Sequence, residues 1–143
     1  MTINTYLTFH DNCRAAFEFY RSVFGGEFLF MQTFAEGPTD AEDFQVPEDK
    51  RDLIMHVTLP IGSGVLMGSD SAGFGPGVSA GNNFALSLSP DTREQADELF
   101  AKLSADGTVE MPMQEMFWGA YFGSFTDKFG IRWQINYELP QQG

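Results

Sequence analysis

The sequence writes one supersecondary pattern twice, and such a repeat restricts the chain to a fold built from two similar modules. "YLTFHDNCRAAFEFYRSVFGGEFLF" reads as a short strand, a polar turn, a helix, a Gly-Gly break and a second strand. "FALSLSPDTREQADELFAKLSADGTVEM" reads in the same order. Leu7 and Phe9 match Leu86 and Leu88, Asn12 matches Asp91 as helix cap, and Arg14 matches Arg93. Phe17, Tyr20 and Phe24 recur as Ala96, Leu99 and Leu103 at helical spacing, and each helix stops near a glycine, Gly25–Gly26 or Gly107. Two further strands follow in each copy: "DLIMHVTLP" and "GVLMGSD" in the first, "AYFGSFTD" and "IRWQINYE" in the second. The fold class is therefore α+β, two βαβββ modules, spanning about 1–70 and 82–140 of a single domain. A Gly-rich linker, 71–81, joins them, and the acidic stretch Glu36–Arg51, interrupted by Pro38 and Pro47, is a loop inserted in the first copy only.

The bulk numbers narrow the function. With 143 residues, 43% hydrophobic and 15 Phe, the chain has enough buriable area for a core. A net charge of −12 argues against nucleic-acid binding, since few side chains could neutralise a phosphate backbone, and disfavours anionic membrane surfaces. It suits a cationic ligand, or serves solubility. The lone Cys13 excludes an internal disulfide and a cysteine-built metal site, and is expected as a small buried residue. The N-terminus carries no basic-then-apolar leader and no run is long enough to span a membrane, so a cytoplasmic protein is expected. The Gly-rich linker leads into a strand rather than a helix, which argues against a phosphate-cradling loop and against nucleotide or adenosylmethionine chemistry of Rossmann type.

Strand alternation sorts the side chains into two faces. In the last strand Ile131, Trp133 and Ile135 oppose Arg132, Gln134 and Asn136; in "DLIMHVTLP", Met55, Val57 and Leu59 oppose Ile54, His56 and Thr58. Phe84, Leu86 and Leu88 oppose Asn83, Ala85 and Ser87, and Tyr6 and Thr8 oppose Leu7 and Phe9. One face of each strand is apolar and belongs beneath a helix. The other collects Asn, Gln, Ser, Thr, His and Tyr rather than charges, a composition that fits a polar cavity or a polar subunit contact.

Together, "YLTFHDNCRAAFEFYRSVFGGE", "GVLMGSD" and "FWGAYFGSFTDKFGIRWQIN" resemble the PhnB-like branch of the vicinal oxygen chelate superfamily, which includes glyoxalase I, ring-cleaving dioxygenases and bleomycin-resistance proteins. The resemblance implies curled mixed sheets around a cavity, and a homodimer. It also implies one His or Glu metal ligand on the first and last strand of each module. Carried onto this chain, those positions fall on Asn4 or Thr5, Asn83, Gly68 or Met67, and Gln134, none of them His or a carboxylate. Four such positions would not hold a divalent transition metal, so no cofactor is expected.

His56 and Glu115 are the candidate catalytic groups: His56 as a base or hydrogen-bond donor on the cavity side, Glu115 as a carboxylate among aromatics. A satisfied interior histidine and an exposed loop carboxylate are the plainer alternatives. Should the two meet, they would make an acid–base pair or half of an atypical metal site. Tyr6, Asn83, Trp118, Tyr121 and Gln134 are the candidate ligand-binding residues, the aromatics offering flat surfaces to a planar or cationic molecule. The expected function is small-molecule binding without a metal. The rivals are a divalent-metal-dependent lyase, isomerase or dioxygenase with ligands recruited from His56 and Glu115, and a purely structural dimer.

Overall fold

A computed structural model describes residues 1–37 and 46–140, which form two compact units, Met1–Ser79 and Ala80–Gly143. Pro38 and the middle of the acidic insertion lie outside the described residues.

The first unit runs β1 (Thr5–Phe9), α1 (Cys13–Phe24), β2 (Phe30–Thr33), β3 (Ile54–Ile61) and β4 (Gly64–Asp70). Its sheet has the order β1-β4-β3-β2, with β1 and β4 parallel and the remaining pairs antiparallel. α1 packs on one face because Cys13, Ala16, Phe17 and Tyr20, spaced at one helical stripe, are all buried. Leu7, Phe9, Val57, Leu59 and Leu66 meet them from the sheet. Strict alternation would put Ile54 with His56, yet Ile54 is fully buried. A register shift opposite Gln32 and Thr33 lets β3 slip by one residue, which returns Ile54 to the helix side. Gly68 shows how tightly the layers meet: a Cβ there would lie 2.6 Å from the Phe17 ring and 2.9 Å from the Leu7 carbonyl oxygen.

The second unit repeats the plan with β5 (Leu86–Leu88), α2 (Arg93–Ser104), β6 (Thr108–Met116), β7 (Ala120–Thr126) and β8 (Arg132–Glu138), in the order β5-β8-β7-β6. Ala96, Leu103, Phe125, Trp133 and Ile135 form its core, and Phe100 meets Phe125 edge-on. Among the described residues both units are α+β, each a four-stranded mixed sheet with one α-helix, and the first unit adds a short 3-10 turn at Glu48–Lys50.

Four local details depart from expectation. β6 runs past Met111 to Met116, so Glu115 lies within a paired strand rather than in a loop. β5 starts at Leu86 rather than Phe84, and Phe84 is exposed. The Asn82–Asn83 bend precedes it, its Asn82 carbonyl accepting from Arg132 Nη1 at 2.5 Å. The caps also differ. Asn12 makes no side-chain cap bond; the Cys13 amide instead donates to the buried Asp70 carboxylate at 2.9 Å, which also accepts from the Ile54 amide at 2.8 Å. Thr92, not Asp91, caps α2 by accepting from the Gln95 amide, and Gln95 Oε1 accepts from the Asp91 amide in return.

Candidate functional site

Tyr6 and His56 come together on the face of the first sheet that α1 does not cover. The register aligns Tyr6 with Met67, Met67 with Thr58, and Thr58 with Phe30, which makes one row across the four strands. The Tyr6 hydroxyl lies 3.2 Å from His56 Nδ1, and His56 Nε2 lies 3.0 Å from Thr58 Oγ1. With the phenol donating to Nδ1, the neutral ring carries its hydrogen on Nε2 and donates it to Thr58; a protonated ring would donate to both oxygens. The rings stack, centroids 5.6 Å apart and planes 29° apart, while Phe30 tilts onto His56 from the other side at 5.7 Å. Gln32, Thr58, Met67 and Ser69 continue this face, and none of its strand positions is Asp, Glu, Lys or Arg. His56 is half-buried, whereas Tyr6 remains 47% exposed and keeps hydroxyl capacity for another partner.

In the second unit, Gln134 occupies the corresponding face, in register with Ser87 and Ser124. Asn136 follows two residues along, in register with Phe122. In the same unit is a depression of about 690 Å³ lined by Glu115, Trp118, Ala120, Asn136, Glu138 and Pro140. Trp118 is held there by the β6–β7 turn, where Gly119 has the left-handed φ of 90° and donates to the Met116 carbonyl. Its ring meets Phe117 and Phe122 edge-on. Asn83 sits in an exposed bend ahead of β5 and is not level with Gln134; Ser87 is.

Glu115 and Tyr121 face the other way. They pair in register on the α2 side of the sheet, and Glu115 Oε1 accepts from Arg93 Nη1 at 2.7 Å. The Arg93 guanidinium lies over the Tyr121 ring at 4.0 Å, and the Tyr121 hydroxyl donates to Asp97 at 2.6 Å. That hydrogen bond to a carboxylate, with some burial, raises the Tyr121 pKa above its ordinary value, and the Glu115 hydrogen bond raises that of Arg93. His56 and Glu115 thus belong to different units and different hydrogen-bond sets. Phe30 and Glu138 were not singled out from the sequence. Arg93 was noticed only as the repeat of Arg14; both arginines open a helix and reach the following strand, Arg14 at Met31 and Arg93 at Glu115.

The positions that the resemblance assigns to metal ligands sort further. Gly68 is turned beneath Phe17, so Met67 is the β4 residue on the open face. Asn4 is exposed ahead of β1. Among the described residues no three His, Cys, Asp or Glu side chains gather as a metal-binding group. A thioether, amides and hydroxyls at the strand positions are a poor donor set for a divalent cation.

Comparison with known proteins follows the same lines. The sequence model of the Glyoxalase/Bleomycin resistance protein/Dioxygenase superfamily matches residues 2–135. Protein YjdN of Escherichia coli (strain K12) is 35% identical over 144 residues, covering 95% of each chain. The crystal structure of protein PA1353 from Pseudomonas aeruginosa superposes with a TM-score of 0.83 at 37% identity, over 98% of this chain and 99% of that one. A Bacillus cereus protein described as a putative 3-demethylubiquinone-9 3-methyltransferase, PhnB protein, shares the fold at a TM-score of 0.75 and 24% identity, over 96% and 99% of the chains.

Proposed function

The chain belongs to the glyoxalase/bleomycin resistance protein/dioxygenase superfamily, and on that footing we propose that it binds a small organic molecule on the open face of its first sheet without a metal ion. The observation that carries this is the Tyr6–His56–Thr58 hydrogen-bond chain, set between aromatic rings on a face with no formal charge. A ligand oxygen or nitrogen reaching the Tyr6 hydroxyl meets a group already polarised by imidazole. The rings of Tyr6 and Phe30 offer stacking area to a planar ligand body. His56, held at both nitrogens, keeps one orientation, which suits a fixed hydrogen-bond donor or a proton acceptor for an acidic ligand. Glu115 has no part in this step, because Arg93 already holds its carboxylate.

The test is a thermal-shift screen against small organic acids, amides and aromatic metabolites, run with a chelator present. Compounds that raise Tm in the presence of chelator, and lose that effect on His56→Ala, are the expected result. Tyr6→Phe should weaken them by the worth of one hydrogen bond, about 0.5–1.5 kcal/mol, or roughly two- to tenfold in Kd. Stabilisation that needs added zinc, nickel, manganese or iron and vanishes with chelator would overturn the proposal. So would compounds that act equally on wild type and His56→Ala.

A further inference from the structure

The geometry of the second unit points to a separate site: we infer that the depression beside Trp118 binds an organic cation, a substituted ammonium bearing an apolar or aromatic group. The lining has a one-sided chemistry. None of the described residues lining this depression of about 690 Å³ is Lys, Arg or His, and the cation beside it, Arg93, is already engaged by Glu115. Trp118, 53% exposed, lines it with an indole, the side chain whose face attracts cations most strongly. Glu138 adds a carboxylate. The other nearby carboxylate, Glu115, is neutralised by Arg93 at 2.7 Å, whereas Glu138 has no ion-pair or hydrogen-bond partner among the described residues.

The remaining lining separates an organic cation from a metal ion. Ala120, Leu139 and Pro140 supply an apolar floor, and Asn136 one amide. A hard cation would need several oxygen donors converging within about 2.6 Å, and a single free carboxylate with one amide does not supply them. A substituted ammonium needs less: one carboxylate, one aromatic face, and apolar surface for its substituents. The volume falls within the range of small-molecule pockets. The chain's charge of −12 favours approach of such a ligand from a distance.

This site lies wholly in the second unit and does not rest on the Tyr6–His56 face. The probes are benzyltrimethylammonium and its anionic counterpart benzenesulfonate, titrated calorimetrically into the full chain at low ionic strength. Saturable binding of the cation at one site, and none of the anion, is the expected result. Glu138→Gln should weaken the cation about two- to fivefold, and Trp118→Leu about fivefold. Both side chains are exposed, so circular dichroism should show both variants folded. His56→Ala should bind as wild type does, which separates a failure here from a failure of the first-sheet site. Equal binding of both probes, no saturable binding of the cation, or affinity untouched by either variant would each overturn the assignment.

Discussion

Two buried carboxylates hold positions that hydrophobic packing alone leaves open. Asp70, 3% exposed, ties the start of α1 to the start of β3 by accepting from the Cys13 and Ile54 amides. Asp127, equally buried, accepts from the Phe129 and Ile131 amides and from Trp133 Nε1, and so fixes the turn between β7 and β8. Asp70→Ala strands two amides at about 1–3 kcal/mol each, so urea unfolding should show a loss of about 2–6 kcal/mol. Gly68→Ala should cost about 1–3 kcal/mol by overpacking against Phe17 and the Leu7 carbonyl. Cys13 is fully buried, and burial pushes its thiol pKa well up, so a thiol-specific reagent should leave it unmodified until denaturant is added. Residues such as Leu7, Phe9, Trp133 and Ile135 were legible because a period of two marks them. Asp70 was not, because its partners lie 57 and 16 residues away in sequence and no local pattern announces them.

The helices and strands, by contrast, advertise themselves through apolar spacing and Gly breaks, although β6 runs on past Met111 to Met116 and a short 3-10 turn, Glu48–Lys50, falls in the stretch read as a loop. Their ends are less legible, since capping depends on which side chain reaches the amide. Asn12 and Asp91 look like caps, but Thr92 makes the bond in α2 and Asp70 supplies it for α1. Thr92→Ala should therefore cost about 1 kcal/mol in chemical denaturation, while Asn12→Ala should cost much less. Gly107 also differs in kind from Gly25. Gly25 has a φ of 80°, whereas a Cβ on Gly107 would meet the Thr126 carbonyl oxygen and the Asp127 backbone, so its role is close approach rather than a left-handed turn. The Tyr121–Asp97 contact links β7 to α2 and has a pH signature. The folded state raises the Tyr121 pKa, so this contribution is whole below the ordinary tyrosine value and is lost as pH rises through the higher folded value. Tyr121→Phe should remove that alkaline component from a plot of stability against pH.

At the scale of the whole chain, a doubled module was enough to reveal the fold, because the same apolar spacing, glycine breaks and strand pairs recur in both halves. The geometry of the candidate site was legible in part. Tyr6 and His56 share a face by simple alternation, and the structure brings them to 3.2 Å. Glu115 and Tyr121 were placed in the same candidate set, but β6 turns them toward α2, where Arg93 claims both; only the register of β6 against β7 reveals it. Among the described residues no cluster of carboxylates or histidines gathers, so chelator should leave the stability unchanged, whereas a metal that binds only the folded state would raise Tm. The most direct test is native mass spectrometry of untagged, chelator-free protein with the most stabilising compound from the screen. A ligand adduct that carries no metal mass and is lost in His56→Ala is the predicted spectrum. An adduct that forms only together with a zinc, nickel, manganese or iron ion would contradict it.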